Sequence, residues 1–402
     1  MPEGFCSNIA DCIDLNEKKI RGLKSHDYHI ILEYLLPLAT RGLIPEDVYD
    51  AVVNLSKFFR LLCYKSLNKC DLDQLQLDIV ITLCKLEKIF PPSFFDIMVH
   101  LPVHLAFETY LGGPVHYRWM YPIEQYMGTL KNYLRNNFFS EGSISESYLV
   151  NESISLCARY LEDQDPPRTS VRDSTLSVFI CLEELSKGIS YTYEPGDRER
   201  AHSYILKNFS EAESIYNEFK REYDNHFIPI DERDRCYIAY FKTKIFQLGE
   251  NISEDLEILG SGPTCRAKRF VSCRVNGYKF NIERHDEGLT TQNSGFTVLG
   301  NNDTETLSYY GVLTNIIQIE YFSGRRVILF KCKWFDVHSG DRRIKIDKHG
   351  FISVNVNRTL ENQNHKPFIL ASQAKQVFYV PYMASRPGWK IVTTINSHYS
   401  NV

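Results

Sequence analysis

At about residue 265 the hydrophobic period of this 402-residue chain changes, and that change restricts the fold more than any single motif. Before it, apolar residues recur every three to four positions, the spacing of a helix face. After it, they alternate with polar residues or gather in short runs between turn residues, the spacing of strands. Helices first and strands afterwards make an α+β chain rather than an alternating α/β one. The length argues for two or three domains.

In Tyr28–Thr40 the residues Ile30, Ile31, Tyr34, Leu35 and Leu38 follow helical spacing. Pro45-Glu46-Asp47 opens a second helix with proline early and acids in the first turn, carrying Val48, Val52, Val53, Phe58, Phe59 and Leu62. Asp71–Phe90 predicts a third, stopped by Pro91-Pro92, and Ser93–Leu101 a short fourth before the break at Gly112-Gly113-Pro114. A further helix runs from Pro122 to about Asn136. Residues 162–200 hold charge clusters, Pro166-Pro167 and Pro195-Gly196, the composition of a linker, and helical spacing returns at 201–226 and Tyr237–Leu248.

In the second part, Arg269–Val275 and Tyr278–Glu283 flank Asn276-Gly277, the strongest short signal for a hairpin. Tyr309–Tyr321 and Arg325–Asp336 are joined by Phe322-Ser323-Gly324, and strands are also expected at Phe351–Asn357, Ala371–Tyr382 and Trp389–Ile395. Many short strands between turns predict a small all-β, barrel-like module. The expected organisation is a helical domain at 1–161, an irregular linker with helices at 162–264 and a β-rich domain at 265–396.

Apolar residues make up 43% of the chain and aromatics 13%, enough for real cores. The longest apolar runs, such as Leu77–Cys84, fall far short of a membrane span, so no membrane partner is expected. The start, MPEGFCSNIADCID, lacks the basic-then-apolar order of a secretory signal, and an intracellular protein is the expectation. Eleven cysteines stand singly, without CxxC or zinc-finger spacing, and read as reduced thiols, mostly buried. Charge is unevenly divided: residues 251–402 carry 19 Lys+Arg against 13 Asp+Glu, so a net of −4 hides a basic C-terminal part. A basic part suggests an anionic partner, although a solvated basic face is the commoner explanation.

Two constellations carry candidate chemistry. On the helix beginning at Pro122, Ile123, Tyr126, Met127, Leu130 and Leu134 form the apolar face, and Glu124, Gly128, Lys131 and Arg135 the other. An acid, a position without a side chain and two cations can hold a divalent metal and admit a phosphate backbone. The same order also suits a plain surface helix, since acids favour the N-terminus and bases the C-terminus. In the β-rich part Arg325, Arg326, Lys331, Lys333, Arg342, Arg343, Lys345 and Lys348 lie near Trp334, Phe335 and Phe351. Cations interleaved with aromatics suit nucleic-acid binding, while the same pattern arises when aromatics fill a core and cations guard strand edges. There is no Walker loop, GxGxxG, HExxH or GxSxG.

The strings GLKSHDYHIILEYLLP (22–37), LEKIFPPSFFDIMVHLPVHLAFE (86–108) and GGPVHYRWMYPIEQYMGTLKNYLRN (112–136) resemble the C-terminal part of plant CACTA (En/Spm-type) transposases. VNGYKF (275–280), TQNSG (291–295), YYGVLTNIIQIEY (309–321), VILFKCKWFDV (327–337) and FILASQAKQVFYV (368–380) resemble a second uncharacterised domain of the same proteins. The resemblance implies an RNase H-like core in which three acids hold divalent metal, Mg²⁺, for strand cleavage. Glu124 is the match for the third acid, and the first two would lie upstream. Gln125 stands where the family usually has arginine, and Asn137-Phe138-Phe139-Ser140 where it tends to be basic. The expected role is therefore DNA or partner-protein binding in the nucleus, without catalysis by this chain alone and without a cofactor of its own. A non-catalytic interaction scaffold is the alternative.

Overall fold

Thr306–Tyr321 is a sixteen-residue strand, and the rest of the β-rich part is arranged around it. The computed structural model describes residues 9–134, 136–164, 178–179, 183–193, 196–223, 230–249, 252–301, 306–337, 344–360, 368–381 and 387–394. They fall into two units: 32–40 with 44–164, and 9–31 with 41–43 and the described residues from 178 onward. The chain is α+β, with a helical N-terminal region and an antiparallel β-sheet region after it.

The first expected helix is present but unevenly wound. Ser25–Ile30 and Leu36–Thr40 are α-helical, and Ile31–Leu35 between them is a π turn. Pro37 offers no N–H to the turn before it, a sufficient cause for widening there. Glu46–Leu62 starts at Pro45 as expected, and Lys69–Ile89 ends before Pro91. Pro102–Gly112 packs on the latter, and Phe58, Leu62, Leu72, Leu75, Ile79 and Ala106 form their shared core. Asp96 caps the short helix Ile97–His100 by accepting from the Met98 and Val99 amides at 2.9 and 3.1 Å. Tyr121–Asn132 and Ser140–Gln164 follow. The latter, 25 residues, is about 37 Å long at 1.5 Å per residue.

In the β-rich unit, one edge of the long strand pairs with Arg326–Trp334. Its other edge is shared, Gly295–Asn301 taking the first half and Pro263–Phe270 the second. From Gly295–Asn301 the sheet continues through Lys375–Pro381, Trp389–Thr394 and Ile352–Asn355 to Ile344–Ile346. Phe368–Leu370 ends the sheet on the other side. This path does not close among the described residues, so the sheet is open where a barrel-like module was expected.

Because side chains alternate along a strand, the register assigns them to two layers. Ile317, Ile319, Tyr321, Val327, Leu329, Phe368 and Leu370 share a core with Leu206, Phe209, Phe219, Tyr237, Phe241 and Leu259. Apart from Phe209, which follows the first of them, those partners lie on Asp197–Lys207, Glu213–Tyr223, Ile230–Leu248 and Glu254–Ser261, so the helices of the expected linker cover one face of the sheet. On the opposite face Ile316, Ile328, Phe330 and Ile369 pack against Phe270, Cys273, Val275 and Phe280. The expected hairpin supplies most of that layer: Ser272–Val275 and Tyr278–Asn281 turn at Asn276 (φ 51°) and Gly277 (φ 80°). Positive φ at both central residues is what the Asn-Gly pair predicts. The expected strand 269–275 breaks at Val271, its first part joining the large sheet and its second the hairpin.

Candidate functional site

Glu124 lies in the first turn of Tyr121–Asn132, exposed, its amide bonded to the Met120 carbonyl at 2.8 Å. Lys131 is exposed in the last turn, and Arg135 lies outside the described residues. One carboxylate is a single ligand, whereas Mg²⁺ asks for octahedral oxygen coordination. Among the described residues, the groups of His, Cys, Asp and Glu within ligand-sharing distance do not include Glu124. These residues do not complete a site for Mg²⁺.

The expected apolar face of this helix is not buried. Ile123 is 49% exposed, Tyr126 50% and Met127 61%. The condition extends along the chain. Phe94, Ile97, Met98, Phe107, Tyr110 and Leu111 are exposed before this helix. Phe138, Phe139, Leu149, Val150, Ile154, Leu156 and Tyr160 are exposed after it.

Between Tyr121–Asn132 and Ser140–Gln164 lies an open cleft of about 310 Å³, lined by Tyr126, Tyr133, Tyr148, Asn151, Glu152, Ser155 and Leu156. The Tyr126 hydroxyl is held above its ordinary value, by desolvation first and then by Tyr148, Tyr133 and Glu152. Sequence reasoning placed Tyr126 on a core face and did not single out the others. The available signal was spacing: Tyr126 and Tyr133 are seven apart, and Tyr148 precedes Glu152 by four.

In the β-rich unit the basic candidates are divided. Arg326 points to the face opposite Lys331 and Lys333, as strand alternation requires. Lys331 is tied to buried Asp197 at 2.9 Å and lies over the Phe368 ring. Arg325 reaches Glu254 at 3.7 Å and lies over Phe179. The Lys345 ammonium sits 4.9 Å from the Trp389 ring centre. Arg326, Lys333, Lys345 and Lys348 are exposed, while Arg342 and Arg343 lie outside the described residues. Phe335 is buried, and Trp334 packs edge-on against Phe296 and Tyr309. The structure thus uses these two aromatics in packing, and among the described residues Arg326 stands apart from Lys331 and Lys333 on the other face of the strand.

Among the described cysteines, all are free thiols. Cys63 and Cys273 are buried and burial pushes both up to about 12, which makes them inert. Cys70, Cys84, Cys157 and Cys265 are exposed, contrary to the expectation of mostly buried thiols.

Residues 62–173, which include the Glu124 helix and the tyrosine cleft, match the family described as domain of unknown function DUF4218. Residues 317–392 match domain of unknown function DUF4216. The chain carries two domains typical of plant transposase-like proteins. No curated protein and no solved structure matches it significantly. Among the described residues, no helix is long and apolar enough to cross a membrane.

Proposed function

We propose that this transposase-like chain is of the CACTA (En/Spm) type and works by binding, its helices between Phe94 and Tyr160 docking onto a partner protein. The run of apolar side chains left in water on these helices carries the reading. Each Leu, Ile, Met or Phe so placed forgoes on the order of 1–3 kcal/mol of burial, and exposure on this scale marks interaction surfaces. The pairing of the two domains supports the transposase setting, and the quoted strings support its type. A nuclear site of action follows from that setting.

An environment-sensitive apolar dye tests the surface. The wild-type chain is expected to bind it saturably, and Leu149→Asp with Ile154→Asp to remove most of that binding while leaving the circular dichroism unchanged. Equal dye binding by the double variant overturns the docking surface.

A second reading, contact with the DNA backbone through Lys333, Lys345 and Lys348, is favoured by their exposure and by the net positive charge of residues 251–402. Fluorescence anisotropy with a duplex carrying element ends should show affinity that falls steeply as salt rises. Binding that is absent at low salt, or indifferent to salt, rules this reading out.

A further inference from the structure

We propose that the tyrosine-lined cleft between Tyr121–Asn132 and Ser140–Gln164 is a cation cage that receives the ammonium of a lysine side chain from a basic segment of the docked partner. The inference rests on the docking reading above and names the chemistry at the centre of that surface.

Three features of the cleft select a cation. Tyr126, Tyr133 and Tyr148 line it, and the negative potential of a tyrosine ring face attracts an ammonium. Glu152 is the one ionisable acid among the lining residues, and no base is among them. Asn151 and Ser155 supply further oxygen acceptors for N–H donors. An anion would meet Glu152 and the ring faces unfavourably, and a purely apolar group would leave the carboxylate and the amide without partners.

The same chain shows what such a set holds when it is filled. In the β-rich unit the Lys207 ammonium lies 5.7 Å from the Tyr216 ring centre and 5.6 Å from that of Tyr237. It donates to the Asp234 carboxylate at 2.6 Å. Two tyrosines and one carboxylate therefore hold a lysine from the chain itself. The cleft presents three tyrosines and one carboxylate with no cation of its own among its lining residues.

The surroundings favour a basic segment as the carrier. Ser140–Gln164 contains Glu141, Glu146, Glu152, Glu162 and Asp163 against the single base Arg159. Exposed Leu149, Val150, Ile154 and Leu156 lie on the same helix. Acidic and apolar side chains side by side complement a segment that is basic and apolar in the same way.

Two probes test the cage on the full chain. The first is choline, compared with its neutral carbon isostere 3,3-dimethylbutan-1-ol by ligand-observed NMR. Choline should bind at least fivefold more tightly than the isostere, its methyl protons shifted upfield by the rings. Tyr148→Ala and Glu152→Gln should each weaken choline at least fivefold with the fold intact by circular dichroism. Equal binding of the two probes, or two variants that bind choline like wild type, overturns the cage. The second probe is an amphipathic peptide with lysines on its polar face, compared with its glutamine counterpart. Preference for the lysine peptide that Glu152→Gln abolishes supports the cage. If Leu149→Asp with Ile154→Asp removes peptide binding while Glu152→Gln leaves it intact, the cage fails and the docking surface stands.

Discussion

Phe330 and Phe138 are the same side chain in two regions that use it oppositely. Phe330 is fully enclosed between the large sheet and the 272–281 hairpin, its ring 5.1 Å from that of Phe280. Phe138 is 93% exposed in the connection between two helices. The β-rich unit packs its apolar residues into layered cores and leaves Phe246, Phe322 and Ile346 among its exposed ones, whereas in the segment from Phe94 to Tyr160 exposed apolar side chains recur on every helix. The proposed docking surface rests on this contrast between a layered core and a run of helices with one face in water.

The sharpest test exchanges these two rings for alanine. Phe330→Ala should cost about 4 kcal/mol in urea denaturation, the loss of a fully buried aromatic plus a cavity. Phe138→Ala should fall within about 0.5 kcal/mol of wild type. Equal costs would mean that the helical segment buries its apolar residues after all.

Next in size is the ion pair under the sheet. Asp197 is buried, with Lys331 at 2.9 Å and the Arg200 guanidinium at 3.8 Å. Lys331→Ala leaves a buried carboxylate short of its nearest cation and should destabilise by about 3 kcal/mol. Lys131→Ala, exposed on its helix, should leave stability unchanged.

A similar magnitude is expected from pH. His202 is buried, and its Nδ1 lies 2.9 Å from the Tyr321 hydroxyl. Burial first, then Arg198, lowers its titration from 6.5 to about 4. Between those values the unfolded chain binds more protons than the folded one, so stability is full above 6.5 and declines as pH falls toward 4, by about 3 kcal/mol. The difference in stability between wild type and His202→Gln should shrink across that window. A constant difference would show that His202 charges without penalty in the fold.

The smallest effect comes from the second of two contrasting glycines. A Cβ at Gly311 would meet the Lys333 carbonyl oxygen at 2.6 Å and the Phe296 ring at 3.0 Å, so Gly311→Ala should destabilise. Gly128, within the Tyr121–Asn132 helix, has open space around it, and Gly128→Ala should stabilise by about 0.5–1 kcal/mol through helix propensity alone. Thermal unfolding of both variants measures the pair.

What the chain discloses by itself follows the same division. The Asn276-Gly277 turn, the strand ending at Tyr321 and the stop before Pro91 were legible because each is decided by neighbouring residues. The helical layer on the sheet was not: Phe209, Phe219 and Tyr237 reveal helical spacing but not the distant strands Ile317 and Leu329 belong to. Strand 263–270 was missed up to Arg269 because Arg266, Lys268 and Arg269 are exposed on it, so the apolar alternation is thin. The site fared worse. An amphipathic pattern such as Ile123-Tyr126-Met127-Leu130 reports that a face will be covered, and is silent on whether the cover belongs to the same molecule. The basic cluster was misleading for a related reason, since sequence proximity joined Arg326 to Lys331 and Lys333 although the pleat separates them.

The long strand Thr306–Tyr321 has a kinetic consequence. Its ladder joins residues as far apart as Ala267 and Ile319, and both of its edges are occupied. Partners that distant in sequence meet slowly, so this ladder should be assembled late and set the pace at which the unit folds. Once in place, the amides of Ile316–Ile319 are enclosed by a neighbour on each side, and their hydrogens should be the last in the molecule to exchange with solvent.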